Sequence, residues 1–196
     1  MLDSICVQKP VANKLAVLFI FIFASEAFGN DLFRQLTEMV NDERQRAGLT
    51  RLVYNNQLEQ AALSHSQWMA HVGKMSHLQG EMSNNFFEYL KSDHNHATRI
   101  MKTGYLGWED LYERRGDGVV SKPDADEHLS EIIAYAGPRN GTVQYQMPII
   151  INGWMRSPGH RECILKNYWK HMGGAFAVGR DGSIYYCVTF GQPIGN

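Results

Sequence analysis

The end of the chain constrains the fold most. Ala175 to Val178 and Ile184 to Phe190 are rich in apolar, β-branched and aromatic residues, with Gly179-Arg180-Asp181-Gly182 between them. Asp-Gly between two such runs is a strong hairpin signal. The sequence ahead of the hairpin is patterned mostly for helices. Helices first and an antiparallel hairpin last predict an α+β fold, with helices packed around a small antiparallel sheet. No stretch long enough to separate two domains interrupts the helical part, so the reading is one domain over residues 31–196.

The helical spacing can be followed along the chain. Asn30 or Asp31 can cap a first helix that turns Leu32, Phe33, Leu36, Met39 and Val40 inward and stops at Gly48. Asn56 can cap a second, with Leu58, Ala61, Ala62, Trp68, Met69 and Val72 on one face, His65 beside them and Gly73 at the end. Lys74 to Asn85 reads as a linker carrying His77. Phe86 to Leu90 reads as a short helix, and Asp93 as the cap of another that ends at Gly104. Leu106 to Tyr112 is predicted extended, and Glu113 to Asp126 a loop. Leu129, Ile132, Ile133 and Ala136 stand at helical spacing before Gly137-Pro138. Pro148 suits the first position of a helix over 149–155. Ser157-Pro158-Gly159 reads as a turn, and 163–165 as part of a short helix.

The N-terminus reads as an address. Lys9 and Lys14 precede the apolar run Leu15 to Ala24, and Ser25, Ala27 and Gly29 supply small residues at cleavage spacing. Ten helical residues rise about 15 Å, half of a ~30 Å hydrocarbon core. Residues 1–27 are therefore predicted to be a secretory signal peptide. After cleavage no membrane span is left. The expected location is secreted or extracellular, or periplasmic in a Gram-negative bacterium. Cleavage also removes Cys6, leaving Cys163 and Cys187, for which a disulfide and two buried free thiols are both open. With 19 Lys and Arg against 20 Asp and Glu, the chain has no basic excess for a nucleic acid.

Eight histidines are the chemically notable residues. No H-E-x-x-H or C-x-x-C is present, so a metal site must be assembled from distant segments. His65, on an apolar helix face, reads as a hydrogen-bonded core residue, and His94 and His96 as solvated. His128 and His171 have no evident partner. Ser157 lies three residues before His160, a weak candidate for a nucleophile and base, and no G-x-S-x-G elbow is present. Cys163 is also near His160.

Several segments in order resemble the CAP superfamily, which includes cysteine-rich secretory proteins, antigen 5 and pathogenesis-related proteins, and in particular its bacterial members. They are Asn41 to Arg44, Leu58 to Met69, Met75-Ser76-His77, Arg99 with Gly104-Tyr105, Gly107 to Asp110, the run Trp154-Met155-Arg156-Ser157-Pro158-Gly159-His160-Arg161, and the final strands. The resemblance implies an α–β–α sandwich with a large cleft. It also implies a site for zinc or another divalent cation formed by two histidines and two acids. His77 and His160 match the histidines, and Glu109 matches the glutamate of the family's G-E-N. Ser157 stands where eukaryotic members have the second glutamate. Asp110, as our own reading, is a substitute carboxylate, so Asp110 and Ser157 are candidate cleft residues. The stretch 116–147 has no clear counterpart in the family. The function implied is a secreted, non-enzymatic module binding a small lipid, a peptide or a cell-envelope partner. A metal-assisted, peptidase-like hydrolase using the same cleft is the alternative, and a structural protein with a vestigial cleft is a third reading.

Overall fold

The computed structural model describes residues 31–194 except 81–85, 116–117, 123–124 and 139–140, so the signal peptide expected at 1–27 lies outside the described residues. A first helix, α1, spans 31–46. It is followed by β1 (Val53–Tyr54), α2 (Asn56–Val72), α3 (Phe86–Lys91), α4 (His96–Lys102), α5 (Trp108–Leu111), β2 (Tyr112–Arg115), β3 (Gly118–Ser121) and α6 (Ala125–His128). Then come β4 (Leu129–Ala136), α7 (Val143–Arg156), α8 (Pro158–Leu165), β5 (His171–Val178) and β6 (Ile184–Gly191).

The sheet order is β1-β5-β6-β4. The expected hairpin is present as β5 and β6, closed by Gly179 N–H donating to Ser183 O at 2.7 Å, with Gly182 at φ 84°. The sheet is mixed, because the two-residue β1 joins the edge of β5 in parallel. Strand alternation sends successive side chains to opposite faces. Ile132, Ala136, Met172, Ile184, Val188 and Phe190 face one way and pack with residues of α1, α7 and α8. Leu129, Ile133, Ala175, Tyr185 and Cys187 face the other way, toward residues of α2, α4 and α5. This is the expected α–β–α sandwich.

Several local expectations are corrected. Residues 129–136 form a strand, not a helix. Both faces of β4 are packed, so Leu129 and Ile133 serve one layer while Ile132 and Ala136 serve the other. Burial on two sides produces an i, i+3, i+4, i+7 pattern without a helix. The extended reading of 106–112 and the loop reading of 113–126 give way to α5, an antiparallel β2–β3 ribbon and α6. A four-residue ladder bearing Glu113, Arg114 and Arg115 leaves little apolar periodicity to read. The caps of α2 and α4 are Asn55 and Asn95 rather than Asn56 and Asp93, and the Asn55 side chain accepts from the N–H groups of Gln57 and Leu58. Helix α7 is capped by Thr142, whose hydroxyl accepts the Tyr145 N–H, so Pro148 lies inside the helix instead of starting it.

Arg44 lies in the last turn of α1. It is fully buried, and its guanidinium donates to the carbonyls of Thr50, Ile164 and Lys166 at 3.1, 2.6 and 2.8 Å. It therefore ties α1 to the C-terminal end of α8, where helix carbonyls lack intrahelical partners.

Cys163 and Cys187 are buried free thiols. Cys163 packs with the α1–α7–α8 layer, while Cys187 faces the α2 layer. A disulfide needs Cβ atoms about 3.5–4.5 Å apart, which opposite faces of a sheet do not provide. Cys163 Sγ lies 3.2 Å from Ser130 Oγ, and Cys187 Sγ lies 3.5 Å from Glu131 Oε2. Burial pushes both thiols up, which keeps them unreactive. We expect both to titrate with a thiol reagent in denaturant and only slowly in native buffer. A crosslinked peptide containing Cys163 and Cys187 in a non-reducing digest would contradict this.

Candidate functional site

The edge strand β4 organises the site through two neighbouring residues. Ser130 turns toward α8, where its hydroxyl meets Cys163. Glu131 turns toward the α2 layer and is buried among cations and imidazoles. Its Oε2 accepts from Arg99 Nη2 at 2.7 Å, and its Oε1 accepts from His77 Nδ1 at 3.0 Å. His65 Nε2 lies 3.6 Å from the same Oε1.

The loop after α2 is strapped to this carboxylate. Gly73 ends α2 in the left-handed conformation at φ 69°, and the chain turns back over the helix. His65 Nε2 donates to Ser76 O at 2.8 Å, and Arg99 donates to the carbonyls of His77 and Asp93 at 3.3 and 3.0 Å. Gln79 N–H donates to His94 O at 2.7 Å. His77 is thus a half-exposed side chain on a fastened backbone. His65 is the hydrogen-bonded core residue expected. His94 and His96 are half-buried rather than solvated, while His171 meets the Tyr105 hydroxyl at 2.8 Å and His128 meets Gln192 O at 3.1 Å.

His160 comes from the other side. Pro158 occupies the first turn of α8, and the Ser157 hydroxyl, instead of capping that helix, lies 2.8 Å from His160 Nδ1. His77, Glu131, Ser157, His160, Glu162 and Cys163 all line one hollow of about 390 Å³. Of the expected site residues, the structure brings together His77, Ser157 and His160. Glu109 lines a separate hollow of about 430 Å³ with Met101, Leu106 and Trp108. Asp110 folds back to accept the Gly107 N–H at 2.6 Å, a local cap at the start of α5. The carboxylate beside His77 is Glu131, which sequence reasoning missed. A charge sharing a β face with Leu129 and Ile133 is the signal that would have found it, once 129–136 is read as a strand.

The profile of the cysteine-rich secretory protein family, CAP, matches residues 37–190, a span that holds every residue of this hollow. The chain belongs to the CAP family. Among solved structures, the CAP fold of this chain is similar to an outer surface protein of Borrelia burgdorferi, at 17% identity and a TM-score of 0.56, covering 84% of this chain and 94% of that one. It is also similar to an extracellular protein containing an SCP domain from Bacillus anthracis, at 18% identity and a TM-score of 0.57, covering 84% of this chain and 41% of that one. No curated protein matches the sequence. Among the described residues, no helix of this CAP chain is long and apolar enough to cross a membrane.

The electrostatics of the CAP cleft follow from burial and charge. Burial alone would raise the Glu131 carboxyl, but the His77 hydrogen bond and the Arg99, His65 and His96 charges hold it down at about 2. Burial, and then the neighbouring His77, push the His160 imidazole below its usual range. His77 donates through Nδ1 to Glu131, which leaves its Nε2 with no hydrogen-bond partner among the described residues. His160 Nδ1 meets Ser157, leaving its Nε2 likewise open. A hydrogen bond on one ring nitrogen fixes the orientation and tautomer of the other.

This donor set falls short of a zinc site. Zinc takes three or four protein ligands. Here two imidazole nitrogens are open, while both Glu131 oxygens are engaged by Arg99 and His77. Among the described residues, no three His, Cys, Asp or Glu side chains are gathered to hold a metal ion. The set also lacks the third member of a serine–histidine relay. Such a base is oriented by a partner on its second ring nitrogen, and His160 Nε2 has none among the described residues.

Proposed function

We propose that this CAP domain is an exported binding module whose His77–His160 cleft holds the polar part of a small lipid, peptide or cell-envelope ligand. The observation carrying this reading is the pair of imidazoles, each anchored at Nδ1 by Glu131 or Ser157, with Nε2 left open in a shared hollow. A pocket with a few oriented polar groups recognises a ligand, and among the described residues nothing beside these groups completes a nucleophile or a metal set. The extracellular and outer-surface descriptions of the two similar structures and the apolar run at 15–24 support export. A divalent ion held by two imidazoles would be weakly bound and is not needed for this role.

The test is to express the whole sequence in a bacterium, collect the exported product and identify co-purifying small molecules by mass spectrometry. We expect a ligand that is lost from His77→Ala/His160→Ala. A protein that is empty from several growth media, or a ligand retained unchanged by the double variant, would overturn the reading.

A further inference from the structure

Beside the cleft, and sharing Glu162 and Lys166 with it, lies a larger hollow of about 750 Å³. Its cations are Arg156 at the end of α7, Arg161 on α8 and Lys166 just beyond α8, and Glu162 is the acid in its lining. Elsewhere Arg46, Arg51, Arg99, Lys102 and Arg115 each meet a carboxylate. Arg156, Arg161 and Lys166 form no ion pair among the described residues. Lys166 Nζ instead stands 5.5 Å from the centroid of the Tyr168 ring and 5.6 Å from that of Trp169, which restrains it at the wall.

Like charges gathered in a concavity repel one another and attract an anion. Two guanidinium groups offer fork-shaped donor sets that suit the oxygens of a phosphate. Leu165, Pro158 and Tyr168 add an apolar and aromatic wall, and the volume exceeds what a bare ion fills. We propose that this hollow binds the phosphate of an organic phosphate ester, with the organic part lying along the apolar wall and a further polar group reaching the His77–His160 cleft. The inference rests on the cleft being a ligand site and names the class of ligand.

The test is an NMR titration of the exported protein with phenyl phosphate, inorganic phosphate, benzoate and benzyl alcohol. We expect phenyl phosphate to bind about tenfold more tightly than each of the others. We expect Arg156→Gln and Arg161→Gln each to weaken it about tenfold, as loss of a charge-assisted pair does. Both side chains are exposed, so the variants should unfold at the wild-type midpoint. Lys170→Gln, an exposed lysine outside the hollow, should change nothing. His77→Ala should leave phenyl phosphate affinity within about twofold while losing any co-purified cleft ligand, so the two readings fail separately. Unchanged affinity in both arginine variants, or an equal loss in Lys170→Gln, would overturn the basic hollow as the site. Inorganic phosphate binding as tightly as phenyl phosphate would overturn the ester, and benzoate doing so would overturn the phosphate.

Discussion

Arg99→Met is expected to destabilise the domain by roughly 3–5 kcal/mol, the cost of leaving one partner of a buried ion pair alone. Folded domains hold only about 5–15 kcal/mol in total, so the variant should sit near the edge of unfolding. Both the Arg99 and Glu131 side chains are about 1% exposed, and the arginine also supports the His77 and Asp93 carbonyls. Hydrophobic replacement therefore loses the bonds to the His77, Asp93 and His94 carbonyls and leaves the Glu131 carboxylate without its buried cation. The pH dependence has a definite sign. Glu131 is depressed from 4.5 to about 2, so its ionised form contributes stability that is complete above the ordinary carboxylate range and is lost as pH falls through about 2. Without Arg99 that carboxyl titrates higher, and the acid limb of the stability curve should begin closer to neutrality. Chemical denaturation followed by circular dichroism from pH 3 to 8 would show this. A variant within about 1 kcal/mol of wild type would mean that the pair is not buried as described.

Gly173→Ala should cost about 3 kcal/mol, for a reason independent of charge. On β5, Gly173 lies against the first turn of α2. A Cβ there would stand 2.6 Å from the Leu58 carbonyl carbon and 2.7 Å from Glu59 Cα, both backbone atoms that cannot swing away. Helix α2 would have to lift from the sheet. That would break the bond from the Thr189 hydroxyl to Leu58 O, now 2.8 Å, and disturb the layer from which His65 reaches Glu131. Gly153→Ala is the internal control. It lies on an exposed face of α7 with open space around it, and it should gain up to about 1 kcal/mol from helix propensity. Equal effects at the two positions, measured by thermal unfolding, would contradict the close packing of α2 on β5.

The sequence made some of this architecture legible because local chemistry and tertiary packing agreed. The 175–190 hairpin carries its own turn, α1 and α2 carry one-sided apolar stripes, and Gly48, Gly73 and Gly104 all adopt positive φ at the helix ends where they were expected. The reading failed where one segment serves two layers. Residues 129–136 mimic a helix because β4 is packed from both sides, and that error hid Glu131 inside a supposed helical face. With Glu131 hidden, the G-E-N-like Gly107-Trp108-Glu109-Asp110 drew the acidic role to Glu109. In the structure Glu109 lies beside Met101 and Trp108 instead. His77 and His160 were legible from short motifs, since each sits beside a turn. Their anchors were only half legible. Ser157 is local to His160, whereas Glu131 is separated from His77 by 54 residues and is brought to it by sheet pairing.

Two anchored imidazoles from distant segments share one hollow, and the binding role depends on that arrangement. The most direct measurement is the NMR pH titration of the His160 ring in wild type and in His77→Ala. We expect a wild-type midpoint below the ordinary histidine value of 6.5, and an upward move when His77 is removed. A His160 midpoint at its ordinary value that is unaffected by His77→Ala would contradict it.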